Sequence, residues 1–483
     1  MGLFLFFEKS SPLIYYQMSG LKPDNLNYNV YPMYNGRYRN RRMPVSNLAN
    51  ATVALAAGST TMLEWKVPAN TVFNLGRSTL DYNITVPAQG AATFIWNFED
   101  TAEIVSSIQF CNASGVYLTD LQYASNYVAA ARKIDMDKSD FESADFTGGL
   151  YKSTSPAANY FPPGAMMPYS VAAGAATNVY GKSAGLKVAA QTAFEPQYAR
   201  VSQATDAVHT FARSLPLSAF THTAVGMDRD LIFPEDMYIR INVSPSSKVA
   251  FTSTSNVNPT SAALALTVQP TISVITLQLA MQVDPLVEAS LRAKFLDGQL
   301  SFLIPFQYGW RNSTASGEAS IQLQLNNGYG NRLKRLLHVP FDSTEATNFA
   351  YDHQNLNGSK ITQYQTMLDG APLQDAKLSC LQPVVGGSIN MDDWRENRPL
   401  LRGSAIENSL AYYFNWAHID SFSQPKRGHI DVPDENILEG LDLSMPRQWT
   451  FTATTAVPLT HYTFGEFTRQ VVSTPLGLQV VVV

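Results

Sequence analysis

Apolar and polar positions alternate along most of this chain with a period of two. In STLDYNITV, residues 78–86, Leu80, Tyr82, Ile84 and Val86 fall on one face and Thr79, Asp81, Asn83 and Thr85 on the other. That is the pattern of an antiparallel strand with one face in a core and one in solvent. LEWKV, TFIWNF, YIRINV, LQLAMQV, LSFLIPFQYGW, SIQLQL and QWTFTAT read the same way, with Pro, Gly, Asn and Asp between them. Helical signals are few. In DPLVEASLRAKFLDG, Asp284 suits an N-cap, Pro285 the first helical position and Gly298 the stop, with Leu286, Leu291 and Phe295 as the apolar stripe. Two shorter helices are expected, one in TDLQYASNYVAAARK from Thr119 and one in MDDWRENR from Met391.

The pattern repeats. SIQFCNASGVYLTD and TQYQTMLDGAPLQD each run from a strand through a turn into G-x-x-L-[TQ]-D, followed by a predicted helix. Gly115 and Gly370 are the structural turn residues, placed to take positive φ, and Leu118 and Leu373 are expected to fold back on apolar surface. The copies lie roughly 255 positions apart, and TMLEWKV and LSFLIPF are separated by nearly that interval, so the chain reads as two related halves. Each half is long enough for an eight-stranded sandwich. The expected division is an N-terminal arm over residues 1–44, a first sandwich over 45–258 and a second over 259–483, joined in STSNVNPTSAA. The first half carries a long loop-like insertion at about 135–204.

Composition changes the picture in one respect. Of the 483 residues only 15% are charged, while Ser, Thr, Asn, Gln, Ala and Tyr abound. A polar but weakly charged surface suits a protein that mostly faces copies of itself, because charge is depleted at the centres of interfaces. A net charge of -5 excludes a generally basic nucleic-acid binder, although GRYRNRR concentrates Arg37, Arg39, Arg41 and Arg42, which could meet phosphate or lipid headgroups. The two cysteines, Cys111 and Cys380, are far apart, which offers neither a disulfide nor a zinc framework. No run has the length of a membrane-spanning helix, MGLFLFF lacks a basic n-region, and Phe6 stands where a myristoylation signal needs Ser or Thr. Met18 is an alternative start, and the sequons at Asn50, Asn83, Asn112, Asn242, Asn312 and Asn357 are read as chance matches.

The stretch nearest to chemistry is YYFNWAHIDSF, where Trp416, His418 and Asp420 share one strand face. A carboxylate two residues along a strand runs parallel to its neighbour, so Asp420 is not expected to turn toward His418. Trp416 and His418 are read as packing or subunit-interface residues. No histidine shows HExxH or HxH spacing. DMDKSDFESADF opens like a calcium loop but has Asp140 where Gly is needed and Phe146 where Glu is needed. NNGYGNRLKRLLH lacks the phosphate-loop signature, and its Arg332, Lys334 and Arg335 read as a basic strand end at a subunit seam. No catalytic, cofactor or metal residue is assigned, and no enzyme activity is expected.

The tandem sandwiches, the helix after one hairpin in each and the low-charge surface resemble the double jelly-roll major capsid proteins of adenoviruses, Polinton-like viruses, virophages and large double-stranded DNA viruses. LQLAMQVDPLVEASLRAKFLDGQLSFLIPFQYGWRNS, ITQYQTMLDGAPLQD, LRGSAIENSLAYYFNWAHIDSFS and HYTFGEFTRQVV carry the likeness. The resemblance implies an all-β chain of two tandem eight-stranded jelly-roll sandwiches with short helices, assembled in the host cell into the virion capsid. It also implies a homotrimeric, pseudo-hexameric capsomer that tiles an icosahedral shell beside neighbouring capsomers, pentons and minor or cement proteins. The N-terminal arm would then lie at the inner face, where Arg37, Arg39, Arg41 and Arg42 meet an internal membrane, minor proteins or the genome. The alternative is a tandem-sandwich spike that binds a receptor or carbohydrate through Tyr160, Phe161 and Tyr169. A third reading, a sandwich glycoside hydrolase, requires two carboxylates facing one groove.

Overall fold

A computed structural model describes residues 37–47, 52–88, 93–96, 104–135, 209–253, 263–298, 300–330, 332–342, 361–374, 377–378, 418–422 and 440–481. The insertion beyond Asp135, with Tyr160, Phe161 and Tyr169, the expected helix at Met391 and Trp416 lie outside the described residues.

The alternating segments become strands whose apolar face turns inward. The first set comprises β1 (Tyr38–Pro44), β2 (Thr61–Val67), β3 (Phe73–Val86), β4 (Val105–Asn112), β5 (Tyr117–Gln122), β6 (His209–Pro216), β7 (Met237–Val243) and β8 (Thr271–Gln282). They pair in two antiparallel sheets, in the orders β1-β8-β3-β6 and β2-β7-β4-β5. The two inner faces close on one core. Leu63, Trp65 and Val67 of β2 and Met237, Ile239 and Ile241 of β7 are buried there, and Phe73 of β3 meets Phe110 of β4 edge to face at 6.3 Å. A side chain of this size removed from water contributes about 2–3 kcal/mol, so the alternation itself drives the sheets together.

The second set repeats this order. It comprises β9 (Leu300–Thr314), β10 (Gly317–Leu325), β11 (Arg332–Asp342), β12 (Ile361–Leu368), β13 (Ala371–Pro372), β14 (His418–Ser421), β15 (Arg447–Thr455) and β16 (Leu459–Thr474). The sheets run β9-β16-β11-β14 and β10-β15-β12-β13, so each strand of the first set has its counterpart eight strands later. Ile321, Leu323, Tyr364, Trp449, Phe451 and Phe467 form the core between them.

This pairing corrects several sequence expectations. Tyr38–Pro44 is not part of an arm: it is the edge strand β1, hydrogen-bonded along its length to β8. β8 in turn lies beyond the expected join at 258, yet it belongs to the first sandwich. The change from one sandwich to the other falls at helix α2 (Pro285–Leu296), and STSNVNPTSAA separates two strands of the same unit. The physical reason is that a strand finds its partner by long-range closure, which leaves no local mark on composition. TMLEWKV is the second strand of its sandwich and LSFLIPF the first of the other; the true counterpart of TMLEWKV is β10.

The helix expected from Thr119 begins later. Thr119–Gln122 completes β5, Tyr123 turns the chain at φ 57°, and helix α1 spans Ala124–Asp135. α2 has the expected cap, with Asp284 accepting from the backbone of Leu286 and Val287. Leu286 itself is exposed, and Phe295 is the one residue of the helix that is fully buried. Leu118 is buried whereas Leu373 is exposed, just past the short edge strand β13. Among the described residues no helix is long and apolar enough to cross a membrane.

Candidate functional site

The sheet β9-β16-β11-β14 is covered on both faces, which explains why the first ten residues of β16, Leu459 to Thr468, are all buried. One face looks into the second sandwich. The other carries Leu337, Val339, Phe341, Ile419, Tyr462 and Phe464 into the core of the first. There α1 and its preceding turn meet the sheet: Tyr123 stacks edgewise on Tyr462 at 5.1 Å and Tyr127 on Phe464 at 5.3 Å. A Cβ at Gly309 would stand 3.0 Å from the Gln122 carbonyl oxygen, so the absent side chain permits this close approach.

Polar groups give the apolar seam its register. Arg469 of β16 lies with its guanidinium carbon 3.3 Å from the centre of the Phe306 ring. It donates to the carbonyls of Tyr329 (2.7 Å) and Gly328 (2.8 Å) in its own sandwich and of Tyr117 (3.0 Å) in the other. Burial lowers its pKa to about 10, with the Asp120 charge opposing. These groups border a cleft of about 440 Å³, lined also by Tyr308, Asn327 and Val480. Nearby, Glu466 receives Arg335 at 2.6 Å and Gln307 at 3.1 Å, while His222 of the first sandwich stands 3.8 Å away. A carboxylate in such a seam is tolerated because its partners replace the lost water.

The opposite face of the same sheet holds a cluster of buried polar side chains. His338 lies opposite His418 across β11 and β14, and both are buried. His338 Nδ1 is 2.8 Å from Thr463 Oγ1, and its Nε2 is 3.1 Å from His461 Nδ1; the far nitrogen of His461 lies 2.9 Å from Thr314 Oγ1. Burial pushes the His338 pKa well below the ordinary range, helped by its two histidine neighbours, and lowers that of His461 to about 4. Against expectation, Asp420 does turn to His418, its Oδ1 standing 3.1 Å from the His418 Nε2. Thr366 donates to that same oxygen at 3.3 Å, and the other oxygen accepts from Trp449 Nε1 at 2.7 Å. Burial pushes the Asp420 pKa up, but His418 and these donors outweigh it and leave it below the usual carboxylate value. The barrier to reading this from sequence was reach: two inward-facing side chains on a short strand, capped by Trp449, have nowhere else to point.

The structure does not bring the sequence-singled residues together. Arg37, Arg39, Arg41 and Arg42 are exposed on and just before β1, far in the chain from His418 in the second core. β1 is fixed at its start by Tyr38, whose hydroxyl donates to Asp230 at 2.8 Å. Gly115 (φ 86°) ends the β4–β5 turn, and Gly370 (φ 80°) follows Asp369 (φ 52°) in the tight β12–β13 hairpin. Arg332, Lys334 and Arg335 sit in and along β11, where Arg335 is drawn inward to Glu466. Sequence reasoning passed over Arg469, Glu466, His338, His461 and Trp449. Their one signal was polar residues at core parity, as in HYTFGEF. Among the described residues no group of three or more His, Cys, Asp or Glu is arranged to hold a metal ion.

No protein-family model matches the chain, and no curated protein matches it in sequence. Solved structures do match in fold. The Faustovirus major capsid protein aligns with a TM-score of 0.52 at 10% identity, over 95% of this chain and 94% of that one. VP54 of PBCV-1, fitted into a reconstruction of the virophage Sputnik, aligns with a TM-score of 0.51 at 10% identity, over 94% and 98%. The mavirus major capsid protein aligns with a TM-score of 0.50 at 10% identity, over 100% and 97%. With the repeated strand order, these matches establish the double jelly-roll fold of viral major capsid proteins.

Proposed function

We propose that this chain is a viral major capsid protein, a structural subunit of a homotrimeric, pseudo-hexameric capsomer in an icosahedral shell. The observation that carries the reading is the doubled sandwich with one strand order, fused through a buried sheet. Two like units held rigidly in one chain give three copies an approximately six-fold outline, which tiles a shell. The outward face of the sheet β10-β15-β12-β13 supports the reading further: Ser320, Gln322, Gln324, Thr450, Thr452, Thr454 and Gln363 make a broad polar face, charged at Glu318, which lies opposite Thr454 and pairs with Lys377 at 2.7 Å. Away from that ion pair, such a face can be covered by a neighbour without desolvating ions. Negative-stain imaging and light scattering of the purified protein test this; a three-fold particle with a hexagonal outline is expected, and a monomer at micromolar concentration overturns it.

In this reading the exposed arginines of β1 face the shell interior and meet phosphate, of genome or of lipid headgroups, or a minor protein. Replacing Arg37, Arg39, Arg41 and Arg42 together with Ala leaves the trimer intact, since none of their side chains is buried. Shell assembly or attachment of the inner layer weakens, measured as particle yield. Normal particles from that variant would remove the arginines from any such role.

A further inference from the structure

We propose that the buried pair of His338 and His461, packed beside His418, makes the second sandwich acid-sensitive, so that proton uptake loosens it before the first sandwich yields. The inference goes beyond shell building and holds whether or not the chain forms a capsomer. Its basis is hydrogen-bond geometry. Thr314 Oγ1, His461, His338 and Thr463 Oγ1 form a chain of contacts at 2.9, 3.1 and 2.8 Å. A neutral imidazole carries one N–H and one acceptor nitrogen, so two neutral rings satisfy the middle link, and so does one neutral ring beside one charged ring. Two charged rings cannot: His338 Nε2–H and His461 Nδ1–H would then point at each other across 3.1 Å.

The surroundings leave added charge uncompensated. Phe451 of β15 packs against all three rings, at 4.0 Å from His338, 5.9 Å from His418 and 6.0 Å from His461. Trp449 of the same strand lies 5.6 Å from His338, and Tyr364 of β12 lies 5.1 Å from His418. Among the described residues, the titratable groups facing the cluster are therefore the three histidines, Asp420 of β14 and the Tyr364 phenol. β9 contributes Thr314 and β16 contributes Thr463. Asp420 is the one carboxylate bonded into the cluster among the described residues, and its Oδ1 already faces His418. Protons on His338 and His461 thus enter the core with no described anion beside them.

The direction follows from linkage. His338 and His461 are held neutral in the folded state, with pKa values below those of an unfolded histidine. Their full contribution to stability is present above about pH 6.5 and is lost as pH falls toward about 4, the folded value of His461. Uptake of two protons on unfolding shifts the equilibrium by up to about a hundred-fold per pH unit in that window. The structure also tells where loosening begins: β11, β14 and β16 belong to the sheet whose other face holds the first sandwich.

The test is hydrogen exchange by mass spectrometry on the full chain from pH 7 to 4.5, corrected for the intrinsic rate. Loss of protection is expected first in peptides of β11, β15 and β16, with β2, β4 and β7 retained. Loss that starts in the first sandwich, or is uniform, overturns the proposal. The double variant His338→Gln, His461→Asn keeps hydrogen-bonding capacity and removes the titration; it is expected to flatten the profile, and an unchanged profile overturns the proposal. Should the variant not fold, the imidazole proton resonances of the unaltered protein decide. His338 and His461 are expected to stay neutral until β16 loses protection, whereas titration near pH 6.5 with protection intact overturns the proposal.

Discussion

Single residues here act through what they are denied. Asp420 has lost water, and its stability depends on His418, Trp449 and Thr366 supplying the replacement. Because its folded pKa lies below the unfolded value near 3.9, its contribution is present above that pH and disappears as pH falls through the folded value. Acid therefore reaches the second sandwich in two windows, His338 and His461 first and Asp420 after. Asp420→Ala strands the Trp449 N–H and leaves His418 beside an empty space, at an expected cost of about 3–5 kcal/mol in urea unfolding at pH 7. The variant is also expected to lose the steepening of the unfolding profile below pH 4. At Gly370 the constraint is on the backbone alone, since a Cβ added there, at φ 80°, would meet only open space. Gly370→Val is expected to cost about 1–3 kcal/mol through strain in a hairpin that needs two consecutive positive φ values, checked by the urea midpoint.

At the scale of elements, legibility followed the number of covered faces. β3 and β2 have one face in the core and one in water, so Leu80, Tyr82 and Ile84, and Leu63, Trp65 and Val67, announced themselves by alternation. β16 is covered twice, and HYTFGEFTRQVV shows no clean period, because Tyr462 and Phe464 serve one core while His461 and Thr463 face the other. α2 was legible from its cap chemistry, which is local. The end of β5 was not, because the positive φ that separates strand from helix falls on Tyr123, a residue type that carries no local signal for it and that meets Tyr462 only in the folded chain. The candidate site was invisible for the same reason: His338, His418 and His461 lie far apart in the chain and meet only through strand pairing. α1 is the element that turns two sandwiches into one body. Tyr127 is fully buried, its hydroxyl bonds the Thr221 carbonyl at 3.1 Å, and its ring meets Phe464. Tyr127→Ala is expected to cost about 3–5 kcal/mol, measured by thermal and urea unfolding, with Tyr127→Phe costing about 1 kcal/mol.

On the scale of the whole molecule, the doubled fold is asymmetric in one decisive way. In the second sandwich the sheet β9-β16-β11-β14 spends its outer face on the first sandwich, with Val339, Phe341, Ile419, Tyr462 and Phe464 all buried there. That sheet cannot be solvated without exposing a contiguous apolar surface, and such surfaces associate. The two halves are therefore a duplication in strand order but not two independent folding units. A fragment of residues 283–483 is expected to aggregate on expression, although it holds every strand of its own sandwich. Replacing Val339, Phe341, Tyr462 and Phe464 in that fragment with Thr or Gln restores the one-face alternation of a solvated antiparallel sheet, and a soluble folded fragment is the expected result. Size-exclusion chromatography and far-ultraviolet circular dichroism check both. If the unaltered fragment is monomeric and folded, the seam is an ordinary domain contact and the rigid doubling inferred for the capsomer loses its physical basis. If both fragments aggregate, the first sandwich supplies more than a cover, with the Arg469 bond to the Tyr117 carbonyl and the Ser473 bond to the Ile232 carbonyl as the remaining links to break in turn.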